Sequence, residues 1–247
     1  MIQLFNVVLF QPLLNLLVFL YNIVPYHDLG VAIILLTIII KAVLYPLASQ
    51  SIKSQKSLQD LQPKIEEIKK QHKDNKEGQA KALMELYKNN KVNPFSSCLP
   101  LLIQLPFLIA VYQVFQRGLN AKSLDLLYPF VANPGVLNPV SFGFLDLNKP
   151  QIALAVLTGL AQFWQTKMMI TKKPPAEVKK SPGAKDEDMM AMMNKQMLYF
   201  MPVMTVFIGI SLPSGLVLYW LVMTLLTVFQ QELVFKKQKK AEVEVIK

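Results

Sequence analysis

The sequence predicts an all-α integral membrane protein with five transmembrane helices, an N-terminal helix lying in the membrane interface, and a cytoplasmic antiparallel helical hairpin. Three observations carry this prediction. Of 247 residues, 53% are hydrophobic and the mean hydropathy is +0.34, more apolar than a soluble domain of this length. Apolar runs of span length recur along the chain. The 26 Lys and Arg fall in blocks: none precedes Lys41, ten lie from Lys53 to Lys91, seven from Lys167 to Lys195 and five from Lys236 onward. That is the pattern the positive-inside rule produces, so the three blocks are expected in the cytoplasm. The net charge of +10, which would suggest nucleic acid in a soluble protein, reports topology here, and no direct DNA binding is expected.

Residues 1–25 are apolar but lack the basic start and small-residue cleavage site of a removable signal. Pro12 is suited to open a helix, and Gln11, Asn15 and Asn22 fall on one of its faces. A polar stripe without charge reads as an interfacial helix over 11–25 on the outer surface, with a true span as the alternative. The first span covers 28–47 and runs outside to inside. Residues 50–92 are polar, with Leu58, Leu61, Ile65 and Ile68 at helical spacing, then Ala80, Leu83 or Met84, and Tyr87. KDNKEG between them signals a turn, hence the hairpin.

Asn93-Pro94 caps a second span over 94–115, bent by Pro100 and Pro106. Residues 117–148, rich in Pro, Asn and Gly, form an outer loop partly resting on the interface. A third span covers 150–170, and 171–195 has the composition of a flexible cytoplasmic linker. From 197 to 235 the chain is apolar for roughly 58 Å of helix, too long for a bilayer of about 30 Å. Leu212-Pro213-Ser214-Gly215 breaks it into spans 197–212 and 215–235, followed by a basic tail, 236–247. The whole is expected to be one domain, multi-pass, with the N-terminus outside and the C-terminus cytoplasmic, and with no large outer domain ahead of it.

Lys41 interrupts GVAIILLTIIIKAVLYPL, where a cation costs about 2.5–3.5 kcal/mol on insertion scales. Its long stem could snorkel to the interface. Polar residues also recur at helical spacing in three spans: Thr37, Lys41 and Tyr45; Thr158, Gln162 and Gln165; Trp220, Thr224, Thr227 and Gln231. One such stripe is ordinary interhelical glue. Three stripes and a cation with no Asp or Glu in any span interior point to a hydrated pocket or groove. The methionines at 189, 193, 197, 201 and 204 form a further stripe, by default core packing, otherwise a pliable apolar surface. A lone Cys98 excludes an intrachain disulfide, and His27 and His72 fall on opposite sides of the membrane, so no metal site is expected. No nucleophile–base pair, paired carboxylates or phosphate-binding glycine loop appears in the spans, so the chain reads as no enzyme and needs no cofactor.

The runs IIIKAVLYPL, LQPKIEEIKKQ, ALMELYKNNKVNPFSSCLPLLIQLPFLIAVYQVF and LPSGLVLYWLVMTLLTVFQQ, in this order, resemble the YidC-type membrane protein insertases, a family that includes the mitochondrial and thylakoid insertases. The resemblance runs from about residue 11 to 235. It implies five core spans, the interfacial helix, the hairpin, and a positively charged groove open to cytoplasm and lipid but closed outside. It implies that Lys41 stands where the family carries a groove arginine, keeping the charge but losing the guanidinium fork. It implies groove or substrate-contact roles for Thr37, Gln165, Tyr219 and Trp220, to which the polar stripes add Gln162 and Thr224. The expected activity is insertion of nascent membrane proteins, without nucleotide, in a bacterial plasma (inner) membrane. The expected partners are those substrates, the lipid bilayer, and the ribosome, targeting factors or a Sec translocon. A small solute or ion transporter using the same cavity is the second class. Inverted repeats and paired broken helices would mark it, and the sequence has neither.

Overall fold

A computed structural model describes residues 2–73, 75–90, 92–93, 99–117, 121–169 and 196–245. The expected linker with Met189 and Met193, the lone Cys98 and Pro94 at the expected start of the second span lie outside these residues.

Two compact units are present: Met1–Tyr45, Leu101–Gln162 and Pro202–Thr227 form the first, and Pro46–Pro100, Phe163–Met201 and Val228–Lys247 the second. The helices are α1 (Gln11–Ile23), α2 (Leu29–Asp60), α3 (Gln62–Gln71), α4 (Lys76–Asn89), α5 (Leu99–Arg117), α6 (Ile152–Met169), α7 (Met201–Gly209) and α8 (Ser214–Val245). A helical turn, Ile2–Phe5, and a widened π-helical turn, Asn6–Phe10, lead into α1. Among the described residues three helices are long and apolar enough to cross a membrane: Gln3–Ile23, Leu29–Asp60 and Ser214–Gln238. The N-terminal helix thus has the length of a span.

Several boundaries differ from the sequence expectation. The first-span helix does not stop at residue 47 but continues through Pro46 to Asp60. It ends at Leu61, with Pro63 in the first turn of α3. The polar segment is therefore the end of a long helix plus two short ones. In the second unit α3 packs on α4, and the turn between them closes where Asn75 accepts a hydrogen bond from the Gly78 N–H. α8 likewise runs past residue 235 into the basic tail. At 32 residues it is about 48 Å long, so part of it extends beyond an apolar layer of about 30 Å. In this unit Ser49 accepts a 2.8 Å bond from Gln230, and Lys56 pairs with Asp60 at 2.9 Å while lying over the Phe235 ring.

The core of the first unit is built from Leu14, Leu17 and Val18 of α1, Leu29, Ile33 and Leu36 of α2, Val111 and Val114 of α5, and Tyr219 of α8. Here α6 and α7 approach closely. A Cβ on Gly159 would collide with Val206, and one on Gly209 would lie 3.0 Å from the Ala155 Cβ. Ala155 and Gly159, four apart, thus present small residues to α7, the pattern that lets helix backbones meet in lipid.

Residues 121–151 form a cap over this unit, ending in a minimal antiparallel pair, β1 (Val140–Ser141) with β2 (Leu145–Asp146), a small departure from an all-helical chain. Polar groups strap the cap down. Asn15 Nδ2 donates to the Leu126 carbonyl and its Oδ1 accepts from Tyr128 N–H at 2.6 Å. Asn22 donates to Ala132 O, and the Tyr21 hydroxyl accepts from Asn138 N–H. Gln11 also donates to Leu126 O. The stripe that suggested a water-facing side of α1 is therefore spent on the cap backbone. Asp28 caps α2 through Val31 N–H and holds Phe142 N–H at 2.6 Å. Ser214 N–H and Gly215 N–H, at the start of α8, donate to Lys149 O and Leu147 O, so the LPSG break receives the cap.

Candidate functional site

Lys41 lies half-buried on α2, in the first unit. Its ammonium donates to Thr227 Oγ1 of α8 at 2.8 Å. The Thr227 hydroxyl proton is already committed to the Met223 carbonyl, one helical turn back, at 2.7 Å. The hydroxyl can therefore offer Lys41 only a lone pair, which fixes the direction of the bond. An ammonium has three donors, and among the described residues this is its one hydrogen-bond partner and no carboxylate pairs with it.

Exposure rises along the stripe that carries it. Thr37 is 0% exposed and donates to its own Ile33 carbonyl, Lys41 is intermediate, and Tyr45 is 40% exposed. Exposure along this face thus rises from the N-terminal to the C-terminal end of the apolar stretch. Thr158 and Thr224 also bond back to their own helices, at Leu154 O and Trp220 O. Their hydroxyl protons are committed to their own helices, so each offers its surroundings only a lone pair.

The other expected site residues are distributed as follows. Tyr219 is fully buried, and its hydroxyl accepts from Gln104 Nε2 at 3.2 Å. Trp220, next to it, is half-buried, as is Gln162. Gln165, also half-buried, belongs to the second unit. Among the described residues no three His, Cys, Asp or Glu lie close enough to hold a metal ion.

The model of the 60Kd inner membrane protein family matches residues 19–242, nearly the whole chain. The chain belongs to that family. Relatives named membrane protein insertase YidC include one from Geobacter metallireducens, 33% identical over 94% of this chain and 38% of the relative. One from Pelobacter propionicus is 36% identical over 91% of this chain and 38% of its own. One from Fusobacterium nucleatum is 34% identical over 93% of this chain and 98% of its own. The chain therefore spans under two fifths of the first two relatives and almost all of the third. Within the family it is a multi-pass integral membrane protein, as its apolar helices require.

Two contacts made by these residues are not given by the sequence. Thr227 lies in the polar stripe of the last span, but spacing does not say which of its four polar residues meets the lysine. Gln104 was visible as a lone amide in PLLIQLP, and only the fold shows that it holds the buried Tyr219 hydroxyl.

Proposed function

We propose that this chain is a membrane protein insertase and membrane chaperone, working without nucleotide. The observation that carries the reading is an ammonium on an apolar helix whose one hydrogen-bond partner among the described residues is a hydroxyl, on a stripe buried at one end and exposed at the other. A dry structural lysine would be paired or fully bonded; this one keeps donors for an incoming group. The names of the relatives support the same activity.

On this reading five helices span the inner membrane of a bacterium, α2, α5, α6, α7 and α8, with the N-terminus outside and the basic hairpin and tail in the cytoplasm. Thr37, Lys41, Gln162, Tyr219, Trp220 and Thr224 belong to the groove or its walls, and Thr227 joins them. The short polar or acidic flank of a nascent membrane protein enters from the cytoplasmic side, drawn by Lys41. Its apolar segment leaves sideways into lipid. The groove shortens the apolar distance the flank must cross. Lysine serves because attraction of a carboxylate needs charge rather than a bidentate fork. The hairpin α3–α4 is the surface for the ribosome, targeting factors or a Sec translocon.

A photocrosslinker at position 41, tested against ribosome-stalled membrane proteins, checks this. Adducts with the flank of a single-spanning substrate are expected; their absence, together with solute uptake by purified protein in liposomes, would favour a transporter instead.

A further inference from the structure

We infer that the cap is a lipid anchor: Tyr26, Phe130 and Phe144 seat in the headgroup–acyl boundary of one leaflet, the outer one on the sidedness proposed above. These three rings are 99%, 78% and 81% exposed. They are not loose side chains on a floppy loop. The underside of the cap buries Leu124, Val131, Leu137 and Leu147, and its backbone is strapped by Asn15, Tyr21, Asn22 and Asp28. A loop held this firmly cannot fold its aromatic rings inward when it meets water.

The backbone is bent to present them. Tyr26 has φ +59° in the Pro25–His27 turn between α1 and α2, a left-handed conformation that costs a residue with a Cβ. Phe142, at φ +55°, lies in the hairpin turn beside Phe144, its ring closing over Gly30. Charge is scarce on this surface. Residues 121–151 carry only Lys122, Asp125, Asp146 and Lys149, and the last two pair at 2.9 Å. Aromatic rings, asparagines and little charge are the composition that favours the membrane–water boundary over bulk water.

Continuity selects lipid as the occupant. Ile152 opens α6 a few residues past the hairpin and is exposed, and Val156 and Leu160 repeat that exposure at four-residue spacing along α6. On a membrane-embedded helix such a row faces acyl chains, so the apolar surface of the cap runs on into surface already in lipid. From Leu29, at the cap, to Lys41 is twelve residues, or about 18 Å of helix. With the cap seated at one boundary, the ammonium lies past the middle of an apolar layer of about 30 Å, nearer the opposite face.

The test uses the full chain in phosphatidylcholine vesicles, with Trp164 and Trp220 replaced by Phe and a single reporter introduced as Phe144→Trp, at a site too exposed to disturb packing. Phosphatidylcholine brominated near the headgroup is expected to reduce its emission at least about twofold, with weak quenching by aqueous acrylamide. Tyr26→Trp and Phe130→Trp are expected to behave alike. Strong acrylamide quenching with no effect of brominated lipid would overturn the anchor and leave a protein partner as the occupant. Sidedness is read separately, from labelling of Asn133→Cys in a Cys98→Ser background by an impermeant thiol reagent on whole cells. Lipid quenching without labelling from outside would keep the anchor and contradict the proposed topology.

Discussion

Asn15 and Lys41 are both polar residues set in apolar helices of the same unit, and they are treated oppositely. Asn15 is 3% exposed and fully used: its amide donates to Gln11 O and Leu126 O, and its carbonyl accepts from Tyr128 N–H. Lys41 is half-buried, carries a charge, and among the described residues is held by one threonine lone pair. A polar group whose bonds are all satisfied within the fold is structural; one left with donors toward the exposed end of a stripe is available to a ligand. The cost of burying a group and the number of bonds it makes together separate glue from site better than polarity does.

The first way to sharpen the contrast is to damage packing while leaving both polar sets untouched. Gly159→Leu drives a side chain into Val206 and the Pro202 backbone, and should destabilise the fold by about 3 kcal/mol or more. Thermal unfolding in detergent should show a fall of several degrees, with insertion lost only in proportion to folded protein. Asn15→Leu comes next. It removes three hydrogen bonds and leaves the part-buried Tyr128 N–H without its partner, worth about 1–3 kcal/mol, with faster hydrogen exchange at 126–138 as its local signature. An unchanged exchange pattern would contradict the structural role of this residue.

How much of this was legible in the sequence depends on the kind of signal. The membrane-protein class and the long apolar helices follow from composition and charge blocks, which register over many residues. Helix ends were less legible: α2 passes Pro46 and stops only at Leu61, because a proline is tolerated within a helix and the polar segment keeps helical propensity. The use of Gln11, Asn15 and Asn22 was not legible at all. Their spacing marks one face of α1, but what covers that face is a loop more than a hundred residues away. The same limit separated Thr227 from Lys41, 186 residues apart.

Acid provides a smaller test on the cap. Burial pushes the Asp28 carboxyl up, but bonds from Phe142 N–H, Val31 N–H and the Ser141 hydroxyl outweigh it and hold the group below its usual range. A carboxyl lowered in the folded state adds stability that is fully present above its ordinary value of 3.8 and is lost as pH falls through the lower folded value. Unfolding temperature should therefore decline below about pH 4, and Asp28→Asn should flatten that decline. An equal acid slope in both proteins would remove Asp28 from the account.

The smallest structural effect is expected at the site itself. Thr227→Ser should keep the lone pair for Lys41 and leave insertion near wild type, while Thr227→Val should lower it about threefold, with stability changed by under about 1 kcal/mol. Equal insertion by all three proteins would mean that the hydroxyl does not position the ammonium.

The central claim, that Lys41 is held ready for an anionic flank, is tested most directly by inserting matched substrates with acidic and neutral flanks into vesicles carrying wild type, Lys41→Arg or Lys41→Ala at equal protein levels. A loss of about 1.4 kcal/mol of attraction is tenfold. Lys41→Ala should therefore insert the acidic-flank substrate roughly tenfold less well, with a much smaller change for the neutral one, and Lys41→Arg should match wild type. Equal insertion of both substrates by Lys41→Ala and wild type would contradict the account and make the lysine a snorkelling side chain.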